Sequence, residues 1–397
     1  MSRARQNTLF DGIRIGFDDA IQLTIDSVKA YGARHSVWCI AWSGGKDSTA
    51  LLTLIIWLIE TGQLDPPKRL IVCYADTRME LPPLSTAAYM IIDLLRQRGV
   101  EVRIVMAEMD KRFFVYMLGR GVPPPNNNTF RWCTRQIKVD PMATEIGRIV
   151  EASESGVLML TGVRQGESAV RDGRIAMSCG RDGAECGQGW YQQMSGDGFA
   201  TLAPILHWRV CLIWDWLVMA GGNKHGGWPT SILAEAYGGD EATEINARTG
   251  CVGCPLANQD TAHDVVLHHR DWKHLAPLKE LRPLYRELRE PCNRLRQPQP
   301  ERLKNGSVGK NPYRMGPLTL EARRYALDRI LDIQSRCNVP GRPVVDILNG
   351  DETARIEELI AANTWPRKWS GDEPLASEPY EEILNGVRQA RLWGIGT

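Results

Sequence analysis

Short unbroken apolar runs alternate along the chain with segments of helical length. Val37-Trp38-Cys39-Ile40-Ala41-Trp42 reads as a buried strand, within a first strand over 36–42. Thr49 to Ile59 is apolar almost all round, as a buried helix would be. A second strand is predicted over 70–74, ending at Asp76-Thr77, and an amphipathic helix from Leu84 to Arg98. Val102–Met106 and Val157–Thr161 give a third and a fourth strand. Residues 1–35 read as a helical lead-in with Ile21, Leu23, Ile25 and Val28 as its apolar positions, and residues 317–336 as an amphipathic helix. Strands alternating with helices predict an α/β protein with a doubly wound parallel sheet, followed by a mostly helical C-terminal region. The boundaries read as 1–35 lead-in, 36–235 sheet domain, 236–345 helical basic region and 346–397 acidic, peripheral tail. Pro123-Pro124-Pro125-Asn126-Asn127-Asn128 marks a loop inside the sheet domain.

Bulk properties add bounds. The 397 residues suffice for two domains; 43% apolar and 24% charged residues are ordinary for a globular protein, and the net charge of +1 singles out no partner. The stretch Ala50–Ile59 is too short to span a bilayer, and Cys211–Ala220 contains Asp215. With no apolar leader at the N-terminus, the expectation is a cytoplasmic protein without membrane contact. Ten cysteines in a reducing compartment then point to metal, catalysis or burial, not disulfides.

The first chemical landmark is Ser43-Gly44-Gly45-Lys46-Asp47-Ser48, joining a strand end to a helix start. Unpaired amides and the positive helix end make an anion site there. Gly44 and Gly45 allow a sharp turn and close approach of a phosphate, and Lys46 adds a point charge. A Walker A loop is excluded, because Ile40 stands at its first Gly position and Asp47 at its Ser/Thr position.

Three further stretches carry reactive groups. Arg131-Trp132-Cys133-Thr134-Arg135-Gln136-Ile137-Lys138 places three cations around one thiol, which predicts a lowered thiol pKa and an anionic substrate. Gly162-Val163-Arg164-Gln165-Gly166-Glu167-Ser168 follows the fourth strand, with Arg164 facing phosphate or substrate. Cys251-Val252-Gly253-Cys254 is a CxxC knuckle for metal or redox chemistry. Cys179 and Cys186, in a Gly-rich loop, are the nearest additional pair. His207 reads as structural and Cys211 as core. From Arg270 to Arg314 there are 12 Lys+Arg against 5 Asp+Glu, which suits a phosphate backbone, with Arg294, Arg296 and Arg302 as expected contacts.

Together SGGKDS, RWCTRQIKVDP, GVRQGES and GCVGCP resemble the PAPS-reductase-like branch of the PP-loop, or N-type ATP pyrophosphatase, family. Within it the chain is most similar to the DNA phosphorothioation sulfurtransferases of the Dnd and Ssp systems, over roughly residues 36–335. The resemblance implies ATP, Mg2+ and a [4Fe–4S] cluster as cofactors. It implies DNA, a cysteine desulfurase and other phosphorothioation-system proteins as partners. It gives Ser43, Gly44, Gly45, Lys46, Asp47, Ser48, Asp76, Gly162 and Arg164 to the nucleotide, with Lys46, Asp47, Arg164 and Cys133 catalytic. It also implies cluster ligands among Cys133, Cys179, Cys186, Cys251 and Cys254. One set is Cys133, Cys251, Cys254 and one of Cys179/Cys186. The other is Cys179, Cys186, Cys251 and Cys254, with Cys133 carrying sulfur; Cys292 is a weaker alternative. Other expectations are a sulfate-nucleotide reductase, a tRNA thiolase, or a non-catalytic nucleotide-binding regulator. Cys133-Thr134 replaces the Cys-Cys pair of cluster-bearing reductases, which argues against the first.

Overall fold

The computed structural model describes residues 15–126, 130–153, 156–166, 190–193, 198–238, 250–257, 259–299, 305–307, 314–384 and 387–391. Cys179 and Cys186 therefore lie outside the described residues, as do Glu167, Ser168 and Arg302.

The apolar runs form a six-stranded sheet in the order β3-β2-β1-β4-β6-β5. The strands are β1 (Val37–Trp42), β2 (Arg69–Ala75), β3 (Glu101–Val105), β4 (Val157–Thr161), β5 (Trp190–Gln193) and β6 (Phe199–Ala203). β1 lies between β2 and β4, parallel to both, with Val37 opposite Arg69 on one side and Val157 on the other. β3 and β6 extend the parallel set, and β5 closes one edge antiparallel. This is the expected doubly wound α/β architecture. β1 is buried on both faces because its side chains alternate between two cores. Trp38, Ile40 and Trp42 enter the large cluster. Val37 and Cys39 join Ile71, Cys73, Val105, Ile149 and Val157 on the other face.

α1 (Phe17–Gly32) is the predicted lead-in helix, fixed to the sheet edge by Tyr31 stacked on Tyr191 at 4.5 Å. α2 (Lys46–Glu60) is the central buried helix. Its two polar interior positions are satisfied. Trp42 donates to Thr49 and Trp216 to Thr53, each at 2.9 Å. α3 (Pro82–Gln97) packs against β3 and the helix Thr230–Glu235.

The second half departs from expectation at Cys211 and in the acidic tail. Its basic region is not one continuous α-helix. Residues 270–287 form a 3-10 helix, Arg270–Glu280, and a short α-helix, Leu281–Glu287. Pro277 lies inside the first, where it lacks an N–H and crowds a regular α-helix. Cys211, read as core, is exposed. The segment read as a peripheral acidic tail is anchored to the sheet domain. Glu352, 2% exposed, meets Arg112 at 3.2 Å and Arg78 at 3.6 Å, and Arg355 pairs with Asp110. No helix among the described residues is long and apolar enough to cross a membrane.

Candidate active site

β1, β2 and β3 follow one another outward, whereas β4 and β6 lie on the other side of β1. The strand order reverses between β1 and β4, so a crevice opens beyond their carboxyl ends, where doubly wound sheets bind ligands. Three sequence landmarks meet there: Ser43–Ser48 after β1, Asp76 after β2 and Gly162–Arg164 after β4.

The loop is braced from within and across the crevice. Ser48 Oγ accepts from the Ser43 amide at 3.3 Å, shares a proton with Ser43 Oγ at 3.2 Å and donates to the Gly45 carbonyl at 3.1 Å. Gly44 has φ +72°, a conformation that side chains resist. Gly162 approaches so closely that a Cβ on it would lie 2.8 Å from Ser48 Cα and N. Arg164, 5% exposed, donates through Nε to Asp47 Oδ1 at 2.5 Å and through Nη1 to the Trp208 carbonyl at 3.2 Å. Lys46 Nζ lies 3.4 Å from Asp47 Oδ2. Asp47 is thus bound on both oxygens by cations and acts as the organiser of the loop. Arg164 reaches the loop through Asp47, which sequence reading did not anticipate.

Tyr237 also had no motif to announce it. Its hydroxyl accepts from the Lys46 amide at 3.1 Å, and Lys46 Nζ stands 5.0 Å from its ring centroid. The ring meets Trp214 edge-on at 5.3 Å. Asp76 is 4% exposed, and its carboxylate accepts from the Arg78 amide at 2.8 Å and from the Tyr89 hydroxyl at 2.6 Å. Arg78 has φ +63°, rare for a residue with a side chain, and its guanidinium is held by the Asp346 carbonyl and carboxylate at 2.7 and 3.0 Å.

The CxxC turn docks beside this crevice. Cys251 forms a β-bridge with Glu80, and the Val252 amide donates to the Met79 carbonyl at 2.7 Å. The turn closes with the Cys254 amide on the Cys251 carbonyl at 3.1 Å. It requires Gly253, with φ +57° and a missing Cβ that would lie 2.7 Å from Leu281 Cβ. Cys133 comes to the same place from the short helical turn Trp132–Thr134. The Cys251 thiol is pushed up to about 12, chiefly by burial and then by Glu80, Cys254 and Cys133, with Lys138 acting the other way. Burial also raises Cys133, against hydrogen bonding by Thr134 that lowers it. This reverses the expectation of a thiol activated by its cations. Cys133 and Ile137 face inward while Arg131, Arg135 and Lys138 face solvent. Glu80 is raised as well, by burial and by Asp76, although its carboxylate accepts from Thr77 Oγ1 at 2.6 Å.

Among the described residues, no group of three or more His, Cys, Asp or Glu side chains is arranged to hold a bare metal ion. In donor chemistry the three thiols suit an iron–sulfur cluster, which is held by cysteine thiolates that need not be close in sequence, and each lies in the field of another. A second observation agrees with that fit. Tyr285, 1% exposed, faces the field of Cys251 and Cys254, and its hydroxyl has no hydrogen-bond partner among the described residues.

The basic-segment expectation fails at two named residues. Arg294 is buried and donates to the Gly316 and Met315 carbonyls at 2.6 and 3.1 Å. Arg296, 2% exposed, donates to Ala376 and Glu378 carbonyls at 3.1 and 2.8 Å. Both guanidiniums fasten the strand Arg294–Arg296 to the chain that follows, so neither can meet a phosphate backbone.

Residues 38–225 match the family model of the phosphoadenosine phosphosulfate reductase domain. That match spans just under half of the chain's 397 residues. No curated protein matches the chain. Among solved structures, phosphoadenylyl-sulfate reductase from Candida auris in a phosphate complex is 10% identical over 53% of this chain and 89% of that one, with TM-score 0.33. FMN adenylyltransferase from Candida glabrata with FMN and the ATP analogue AMPCPP is 14% identical over 56% and 61%, with TM-score 0.33. The U34-tRNA thiolase NcsA from Methanococcus maripaludis with its [4Fe-4S] cluster is 13% identical over 68% and 78%, with TM-score 0.34. Similarity at this level carries no residue role across to this chain.

Proposed function

We propose that the protein is an ATP-dependent sulfurtransferase that replaces a non-bridging oxygen of the DNA backbone by sulfur. The observation that carries this reading is the docking of the Cys251–Cys254 turn on Met79 and Glu80, a few residues beyond Asp76. Thiols and a phosphate loop then border one crevice, as activation followed by sulfur delivery requires. A regulator that only binds nucleotide has no need of the thiols.

A phosphate oxygen is a poor leaving group. In the first step it attacks the α-phosphorus of ATP; the new P–O bond forms as the α–β bridge breaks, and pyrophosphate leaves with the electron pair. The loop amides and Lys46 neutralise charge gathering on the pyrophosphate, while Arg164 and Asp47 hold the loop in place. Asp47 is already engaged by two cations, so magnesium would enter on the nucleotide phosphates. In the second step a cysteine desulfurase delivers sulfur as a persulfide, two electrons from an added thiol reductant convert it to the sulfide level, and this sulfur attacks the activated backbone phosphorus. The S–P bond forms, the P–O bond to AMP breaks, and this displacement itself involves no oxidation. An iron–sulfur cluster held by Cys133, Cys251, Cys254 and a fourth ligand such as Cys179 or Cys186 would supply a metal site for that sulfur. In the other arrangement Cys179 and Cys186 complete the shell and Cys133 carries the sulfur. Other phosphorothioation proteins would deliver the DNA.

The test is the product pattern of ATP labelled at the α-phosphate, with magnesium, duplex DNA, a desulfurase and a thiol reductant under anaerobic conditions. AMP and pyrophosphate released in step with DNA are expected. ADP and orthophosphate as main products would overturn the reading, and release stimulated by tRNA but not DNA would favour a tRNA thiolase.

A further inference from the structure

We propose that Tyr285 is the hydrogen-bond donor to the sulfur held among Cys133, Cys251 and Cys254, an inference that rests on the cluster reading above. Tyr285 lies on the helix Leu281–Glu287, four residues after Leu281 and therefore one turn along the same face. Leu281 packs directly on Gly253, at the centre of the CxxC turn. On its other side, Tyr285 meets Phe113 edge-on at 5.9 Å, and Phe113 stacks on Trp132, the neighbour of Cys133, at 5.2 Å. The phenol is thus enclosed by the elements that present all three thiols.

A buried tyrosine hydroxyl normally finds a partner, because leaving it unpaired forfeits its hydration with nothing in return. Among the described residues this hydroxyl has none. A phenylalanine would fill the same apolar space between Phe113 and Leu281 without that cost. The titratable groups in whose field it stands are the Cys251 and Cys254 thiols, and an iron–sulfur cluster there would add inorganic sulfide as an acceptor. Hydrogen bonds to such sulfurs stabilise the more negative, reduced form and raise the reduction potential. Tyr285 would act as a positioning residue. It would fix the sulfur nearest the CxxC turn and tune its electron density without entering any bond that is made or broken.

The experiment compares Tyr285→Phe with the wild-type chain in two forms, cluster-free and anaerobically reconstituted with iron and sulfide. In the cluster-free form the Tm of Tyr285→Phe should equal or exceed that of the wild type, since an unpaired hydroxyl is removed. In the reconstituted form the variant should show a more negative reduction potential and a several-fold faster loss of iron to a chelator. Equal potentials and equal iron loss would overturn the proposal. A clear fall in cluster-free Tm would also overturn it, because the hydroxyl would then have a partner within the protein. Failure of the wild-type chain to take up iron and sulfide at all would instead refute the cluster reading on which it rests.

Discussion

Arg164 Nε and Asp47 Oδ1 lie 2.5 Å apart across 117 residues of sequence, and this pair joins the strand-end loop after β4 to the Ser43–Ser48 loop after β1. Lys46 holds the second Asp47 oxygen. The pair is shielded, with side-chain exposures of 6% and 15%. Removing Asp47 leaves the shielded Arg164 without its counter-ion, which costs about 3–5 kcal/mol in a buried pair; removing Arg164 leaves Asp47 with Lys46 alone and costs less. Arg164→Ala and Asp47→Ala should both lose ATP turnover and also lower the unfolding midpoint in urea. This differs from what an exposed loop would predict, namely loss of activity with full stability. Unchanged midpoints would show that the pair does not brace the loop.

The Lys46 amide donates to the Tyr237 hydroxyl, the same amide that the proposed function gives to a nucleotide phosphate. Tyr237→Phe keeps the ring under the Lys46 ammonium and against Trp214 but removes the competing acceptor. A hydrogen bond worth about 1 kcal/mol corresponds to about fivefold in binding. Calorimetry should therefore find pyrophosphate bound about fivefold tighter by Tyr237→Phe. Weaker binding would make the hydroxyl a phosphate ligand in its own right.

Thiol reactivity should follow the environments described, since the thiolate is the nucleophile. In the metal-free chain, iodoacetamide at pH 7.5 should label exposed Cys211 and Cys292 first. Cys133 and Cys251, both raised by burial, should lag. A raised thiol pKa means less thiolate at neutral pH. Labelling of Cys251 should therefore keep increasing well above pH 9, toward about 12. Mass spectrometry of peptides over a pH series reads this directly. Fast labelling of Cys133 at pH 7.5 would restore the picture of a cation-activated thiol.

The sheet was legible because β1, β2 and β4 are largely apolar runs and β3 alternates around Val102, Ile104 and Val105, and the Ser43–Ser48 loop because its six residues are contiguous. The thiol site was half legible. Cys251 and Cys254 announce themselves by spacing, but their attachment to Met79 and Glu80 is a pairing across more than 170 residues, and no local pattern encodes it. Tyr237 and Tyr285 were missed for the same reason. Each is an ordinary aromatic position until the fold brings it to the loop or the thiols. Charge counting misled at Arg294 and Arg296, because a tally of cations is blind to guanidiniums that cap backbone carbonyls in the interior. Cys211 shows the converse, an apolar-looking helix position turned to solvent.

Nucleic-acid binding is better tested at the outward cations of the Cys133 segment. Arg131 and Arg135 are exposed, beside exposed Phe130, although Arg135 also pairs with Asp140 at 3.1 Å. Each phosphate contact removed should lower the slope of log K against log salt by about 0.9 on duplex DNA. Arg131→Glu combined with Arg135→Glu is expected to lower the slope by up to about 2 and to weaken binding to all sequences alike. An unchanged slope would place the DNA elsewhere.

Mass spectrometry of nuclease-digested DNA is the most direct measurement of the central claim. Cells carrying the intact gene would be compared with cells lacking it and with cells carrying Lys46→Ala or Cys251→Ala. The expected result is phosphorothioate-linked dinucleotides in the intact strain alone. Undiminished phosphorothioate without the gene, or none in the intact strain when its partner proteins are present, would contradict the account.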